Sequence, residues 1–135
     1  MINMNLKKYE KLRKKFESKP VEWLDFSVRE YNFCRSRRIK FIYQLIDTNL
    51  VHNIRGFGVM KVFRLLTATL KRKIGIDFEF IGIGDGIFRI IPKFIFETKK
   101  NAESGDANAM LEYSMYLRKY HSTQEAHEWH TKAAK

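Results

Sequence analysis

NAESGDANAMLEYSMYL, residues 101–117, is the stretch on which the reading of the fold turns. It passes from a polar helix end through Gly105 and Asp106 into a segment of Ala, Met, Tyr and Leu. Gly105 is placed to end one helix, because a residue without a Cβ takes the left-handed conformation that commonly terminates helices. Asp106 is placed to cap the next, its carboxylate accepting a backbone N–H that would otherwise lack a partner. That next helix, ANAMLEYSMYLRKY, carries an inward stripe at Ala109, Tyr113, Tyr116 or Leu117, and Tyr120. Ser122 and Glu125 then stand in capping-box spacing, and a last helix puts Ala126, Trp129 and Ala133 on one face. Ala lets these helices pack closely, and Trp129 is expected to fill the space between them. Upstream, Pro92 opens a further helix, PKFIFETKKNAES.

Working outward, IDFEFIGIGDGIFRII (residues 76–91) is rich in Ile and Phe around Gly84-Asp85-Gly86. It reads as a β-hairpin; a buried helix-loop segment is the alternative that periodicity leaves open over so short a span. Before it, Val59, Val62, Phe63, Leu66, Leu70 and Ile74 predict a helix whose last turn holds Lys71, Arg72 and Lys73. Gly75 follows as its left-handed cap. RGFG (55–58) reads as a turn. Ile39, Ile42, Leu45 or Ile46, and Leu50 form an earlier apolar stripe, and CRSRRIK (34–40) is a basic helix face or a short break. Pro20 suits the first position of a helix continued by Leu24, Val28 and Tyr31. Leu6, Tyr9, Leu12 and Phe16 make the first stripe, with lysines filling the other faces.

The chain has 135 residues, 44% of them apolar and 14% aromatic, and is expected to fold as one domain. Its parts are a basic helical part (1–75), a possible hairpin plus helix (76–105) and a helix pair (106–135). The net charge of +11 is lopsided: residues 1–75 hold 18 Lys/Arg against 6 Asp/Glu, and residues 76–135 hold 8 against 9. A basic half of this kind points to an acidic partner, whether nucleic acid, anionic lipid or an acidic protein face, or simply to a solvated surface. The single cysteine, Cys34, excludes an internal disulfide and favours a reducing, cytoplasmic home. MINMNLKKYEKLRKK lacks the apolar region of a signal peptide, and no apolar run is long enough to span a bilayer.

No Ser/His/Asp set, paired-carboxylate motif or cofactor fingerprint is present, so no catalytic residue, no cofactor and no metal is expected. GIGDG lacks the phosphate-loop pattern. His121, His127 and His130 share a helical region, but their spacing matches no strong metal motif and a solvated face is favoured; His52 is isolated. Cys34 lies among arginines that would lower its thiol pKa, yet it has no defined His partner. Two groups remain. Arg35, Arg37, Arg38 and Lys40, with Lys71, Arg72 and Lys73, form a continuous basic patch if the two segments lie side by side, suited to phosphates. Tyr113, Tyr116 and Tyr120 are candidates for a protein interface, where tyrosine sits with its hydroxyl wet.

The C-terminal pattern resembles the Sel-one-like repeat, a relative of the tetratricopeptide repeat. The resemblance rests on Ala102, Glu103, Gly105, Asp106, Ala107, Ala109 and Met110, and again on Ala126, Trp129, Lys132, Ala133 and Ala134. Ser114 stands where that family has a glycine, the glycine-containing loop between helices is replaced by HSTQEA, and one copy covers only the last part of the chain. The resemblance implies docking onto another protein.

The expectation is therefore a mainly α protein: a helical bundle with a possible small β-hairpin and a C-terminal Sel-one-like helix pair. Its function is read as non-enzymatic protein binding of bacterial or phage type, as an adaptor, inhibitor or immunity protein. The alternative is a nucleic-acid-binding accessory protein using the basic N-terminal half. Peripheral membrane contact is disfavoured.

Overall fold

The computed structural model describes residues 4–51, 58–84 and 86–133, with side chains placed for 5–51, 61–84 and 86–129. Residues 55–57 of the expected turn, His52, Asp85 and Ala134, and the side chains of Val59, His130, Lys132 and Ala133, lie outside that range. The chain is mainly helical: α1 (Met4–Phe16), α2 (Val28–Ser36), α3 (Gly58–Ile74), α4 (Lys93–Glu103), α5 (Ala107–Tyr120) and α6 (Thr123–Ala133). A small antiparallel sheet of β1 (Leu50–Val51), β2 (Phe78–Gly84) and β3 (Ile87–Pro92) has the order β1-β3-β2. The contacts divide the chain into two compact units, Leu12–Lys93, and Met1–Lys11 with Phe94–Lys135.

In the unit Leu12–Lys93, α3 is the helix its apolar spacing predicts. Val62, Phe63, Leu66 and Leu70 are all buried, and each such side chain contributes about 1.5–3 kcal/mol through lost apolar exposure. The Phe63 ring is the centre, 5.6 Å from Phe33 on α2, 5.5 Å from Phe80 on β2 and 5.0 Å from Phe88 on β3. Gly75 ends α3 at φ +88°, its N–H donating to the Lys71 carbonyl at 2.9 Å. Residues 76–91 form the hairpin and not the helix-loop alternative. Phe78 pairs with Pro92 and Ile81 with Arg89, with an irregularity between Gly82 and Gly84.

Two stretches of this unit depart from the sequence reading. Pro20 does not begin a long helix; it precedes a 3-10 turn, Val21–Leu24, that ends at Asp25 with φ +54°. The next helix starts only at Val28, where Ser27 and Glu30 make a reciprocal capping box. This start rotates the buried face onto Glu30, Phe33 and Cys34 and leaves Val28 77% and Tyr31 42% exposed. Ile39, Ile42, Leu45, Ile46 and Leu50 are all buried as expected, but on a 3-10 turn (Ile42–Gln44) leading into β1, not on a helix. Sheet contacts override helical spacing here: Asp47 N–H donates to the Ile90 carbonyl at 2.7 Å, and Ile46 bridges to Ile90.

In the unit of Met1–Lys11 with Phe94–Lys135, the Gly-Asp junction takes the expected form. Gly105 has φ +100°, and the Asp106 carboxylate accepts from the Ala109 N–H at 3.1 Å. Ser122 Oγ accepts from the Glu125 N–H at 2.9 Å at the start of α6. Tyr9 is fully buried, edge-on to Tyr116 at 5.6 Å and to Tyr120 at 4.7 Å. The buried Glu112 carboxylate on α5 accepts the Asn5 and Leu6 N–H groups at 3.1 and 3.3 Å. These are donors of the first turn of α1, which have no partner inside the helix.

Candidate functional site

Arg35, Arg37 and Arg38 of the expected basic patch do not join Lys71, Arg72 and Lys73 in one surface. Along α2 and the turn before it, Asp25 meets Lys73 at 3.0 Å, Glu30 meets Thr69 at 2.6 Å, and the Phe33 ring meets Phe63. Moving forward along α2 therefore moves backward along α3. Arg35, Arg37 and Arg38 lie beyond the Phe33–Phe63 level, whereas Lys71, Arg72 and Lys73 sit at the far end of α3. Lys40 lies beside the turn Val21–Leu24, its carbonyl accepting from the Val21 N–H at 2.9 Å, and Lys73 reaches the same turn at Trp23. The separation from Phe63 to Arg72 is about 14 Å of helix axis.

Several of these cations also have local duties. Lys71 pairs with Asp77 at 2.9 Å, a bond that lowers the Asp77 pKa, and Lys73 pairs with Asp25. The Arg37 guanidinium stacks 3.7 Å from the Phe33 ring centre. It donates to the Val51 and Phe33 carbonyls at 3.0 and 3.1 Å, and burial lowers its pKa. Arg37 thus closes the end of α2 onto β1. Arg35, Arg38, Lys40 and Arg72 are exposed and carry no ion pair among the described residues. Arg37 and Arg38 line an open groove of about 420 Å³ with Tyr43, Gln44, Thr48 and Asn49.

A different basic surface is present on α1. Lys7, Lys8, Lys11, Lys14 and Lys15 are all exposed. At 3.6 residues per turn they fall within an arc of about 120°, opposite the buried Leu6, Tyr9 and Phe16. Because all five lie on one helix, their spacing is set by the helix itself: Lys7 to Lys15 is about 12 Å of axis. Among the described residues none of the five has an ion pair. The one acid in α1, Glu10, is bound by Lys119 at 2.6 Å, and this bond raises the Lys119 pKa. The carboxylate that could have neutralised the neighbouring lysines is thereby turned to another helix. The chain's local energetics oppose this arrangement. Lys7 and Lys11, and Lys11 and Lys15, repel at i,i+4 spacing by about 0.2–0.5 kcal/mol each. Lys7 and Lys8 also stand near the positive end of the helix. Only Arg13, Lys14 and Lys15, in the last turn, suit the negative end.

The tyrosines are placed otherwise than expected for an interface. Tyr113 and Tyr116 are only 4% and 2% exposed and belong to the core, and Tyr120 is partly buried against Tyr9. Their hydroxyl-bearing rings fill the space between α1, α5 and α6 in place of small apolar residues. The Tyr116 hydroxyl is 3.1 Å from His121 Nε2. Trp129 is partly buried and meets Tyr113 edge-on at 5.3 Å, so it is not the fully enclosed ring that close packing would require. His127 is exposed, and among the described residues no group of His, Cys, Asp and Glu is arranged to hold a metal. Cys34 reverses the expectation of a lowered pKa: burial, and then the Glu30 carboxylate, push its thiol up to about 12, and Arg37 only partly opposes them.

The lysine face was accessible to sequence reasoning. The five lysines share an angular sector of α1 without being adjacent in sequence, whereas RSRR and KRK are runs of neighbours. No family model, no curated protein and no solved structure matches this chain.

Proposed function

We propose that this chain is a non-enzymatic binding protein that holds a nucleic acid through its phosphates, using the lysine face of α1. The observation that carries the reading is five exposed lysines on one arc of one helix, with the only acid of that helix bound elsewhere. A face kept despite its own repulsion is the signature of a binding surface more than of a folding device. Lysine ammoniums are point charges without the planar fork of arginine, so the face suits backbone contact and carries no base readout. The test is titration of a labelled duplex and a labelled single strand at low salt. Both should bind, and affinity should fall with log salt at a slope of about −4 to −5 on the duplex if all five lysines engage. Absence of binding to either would end the proposal.

A second reading, docking onto another protein, retains one specific observation. Val28 and Tyr31 are exposed at i,i+3 spacing on α2, where aromatic and apolar side chains can anchor a partner. The Sel-one-like reading of α5 and α6 belongs with it and is supported by the left-handed Gly105, the capping Asp106 and the Trp129–Tyr113 contact. The nucleic-acid reading is preferred because Tyr113 and Tyr116 are buried.

A further inference from the structure

We infer that Trp23 is a stacking platform for an unpaired base, which makes single-stranded nucleic acid the preferred partner. The inference rests on the nucleic-acid reading above and adds a residue and a strand preference to it. Trp23 stands in the 3-10 turn Val21–Leu24, whose end residues Val21 and Leu24 are buried at 2% and 0% exposure and anchor the turn. The indole itself is only partly buried, tilted 46° against Phe16 at 5.9 Å. Two ammoniums lie over it, Lys19 at 4.3 Å and Lys73 at 5.1 Å from the ring centre, and Lys15 lies 5.4 Å from the adjoining Phe16 ring.

The contact is exchangeable. A cation over an aromatic face at an exposed site is a weak contact. A base stacked on an aromatic side chain is held more strongly, and its phosphates offer the displaced ammoniums a stronger partner. When a strand arrives, Lys19 and Lys73 move to the flanking phosphates and the ring face passes to the base. Lys73 gives up Asp25, an ion pair whose carboxylate is 76% exposed and worth little. A duplex cannot make this exchange, because its bases are already stacked. Aromatic rings interleaved with lysines are what a strand of alternating base and phosphate requires.

The experiment uses full-length protein carrying Trp129→Phe, which leaves Trp23 as the one tryptophan. Indole emission and strand anisotropy are followed during titration with a fifteen-nucleotide thymidine strand, a duplex of that length, inorganic polyphosphate, and phosphatidylglycerol vesicles. The single strand should quench Trp23 saturably, and polyphosphate, which has no bases, should not. Trp23→Ala should weaken single-strand binding about tenfold, within the range of one lost base stack, and change duplex binding less than about twofold. Equal loss on strand and duplex would overturn the inference, as would equal quenching by polyphosphate. A blue shift with vesicles and none with the strand would do the same, and would assign Trp23 to a lipid surface. Should Trp23→Ala fail to fold, the quenching comparison on intact Trp23 decides. Binding of both nucleic acids without a Trp23 response refutes the platform and leaves the lysine face standing; binding of neither refutes both.

Discussion

Thr69 Oγ1 donates a 2.6 Å hydrogen bond to Glu30 Oε2 inside the interface of α2 and α3, where both residues are 3% exposed. Glu30 also serves the capping box of α2, accepting from the Ser27 hydroxyl at 2.9 Å and the Ser27 N–H at 3.3 Å. One carboxylate thus sets the start of α2 and its register on α3. That register runs the two helices in opposite directions and holds the RSRR and KRK clusters apart.

Thr69→Val should destabilise the protein by about 2 kcal/mol, because a buried carboxylate loses a donor while the side-chain volume is kept. Thr69→Ser should retain most of the stability. Urea denaturation checks both, and a Val variant within about 0.5 kcal/mol of the parent would show that the bond does not hold the register.

Cys34 should protect the folded state from its own ionisation only up to a limit. Its thiol is held near 12 in the fold against an ordinary 9.0. Below pH 9 both states are protonated and the thiol contributes no pH dependence. Above pH 9 the unfolded chain loses the proton and the folded chain keeps it, so stability falls as pH rises toward 12. Relative to Cys34→Ala, the parent should lose about 1 kcal/mol per pH unit in that window. A constant difference between the two proteins from pH 8 to about pH 10.5 would count against it. Slow reaction of the native thiol with a disulfide reagent at pH 8, and fast reaction in urea, is the companion result.

Gly105→Val should cost more than about 1 kcal/mol, since φ is +100° there and a β-branched residue is strained in that region. No heavy atom lies within 4 Å of a Cβ built at Gly105, so the cost is conformational and not a clash. Asp106→Ala should cost about 1 kcal/mol through the lost cap of α5. Thermal melts of the two variants decide, and unchanged midpoints would show that the junction is not the hinge of this unit.

Much of the fold was legible in the residues. The stripe of α3 repeats over several turns and ends on Gly75, and the Gly-rich centre of 76–91 marks a hairpin. Gly105 with Asp106 states a helix stop and a helix start in adjacent positions. Less legible was the chain from Pro20 to Val51. Leu24, Val28 and Tyr31, or Ile39, Ile42 and Leu50, match helical spacing, but a 3-10 turn and a two-residue strand are too short to impose a period of their own. Their shape comes from distant partners: Lys40 and Phe41 beside Val21 and Pro20, and Ile90 beside Ile46 and Asp47. In the candidate site, charge was legible and its grouping was not. Arg37 is spent on Phe33 and Val51, and Lys73 on Asp25, contacts that no local pattern announces. Tyrosine is common at interfaces, which makes Tyr113 and Tyr116 interface candidates by residue type, yet an aromatic cluster around Tyr9 takes them inside.

The most direct measurement is the salt dependence of duplex binding for the parent and for a variant with Lys7, Lys11 and Lys14 changed to Gln. The duplex isolates the lysine face, because it offers no unpaired base to Trp23. Between about 50 and 200 mM salt the variant's slope of log K against log salt should be shallower by about 2 to 3, one increment of about 0.9 for each phosphate contact removed. Changing Arg35, Arg38 and Arg72 to Gln instead should move the slope by less than about 1, since those residues stand at separated places. A slope that survives the lysine changes, or that collapses with the arginine changes, would contradict the assignment of the binding surface to α1.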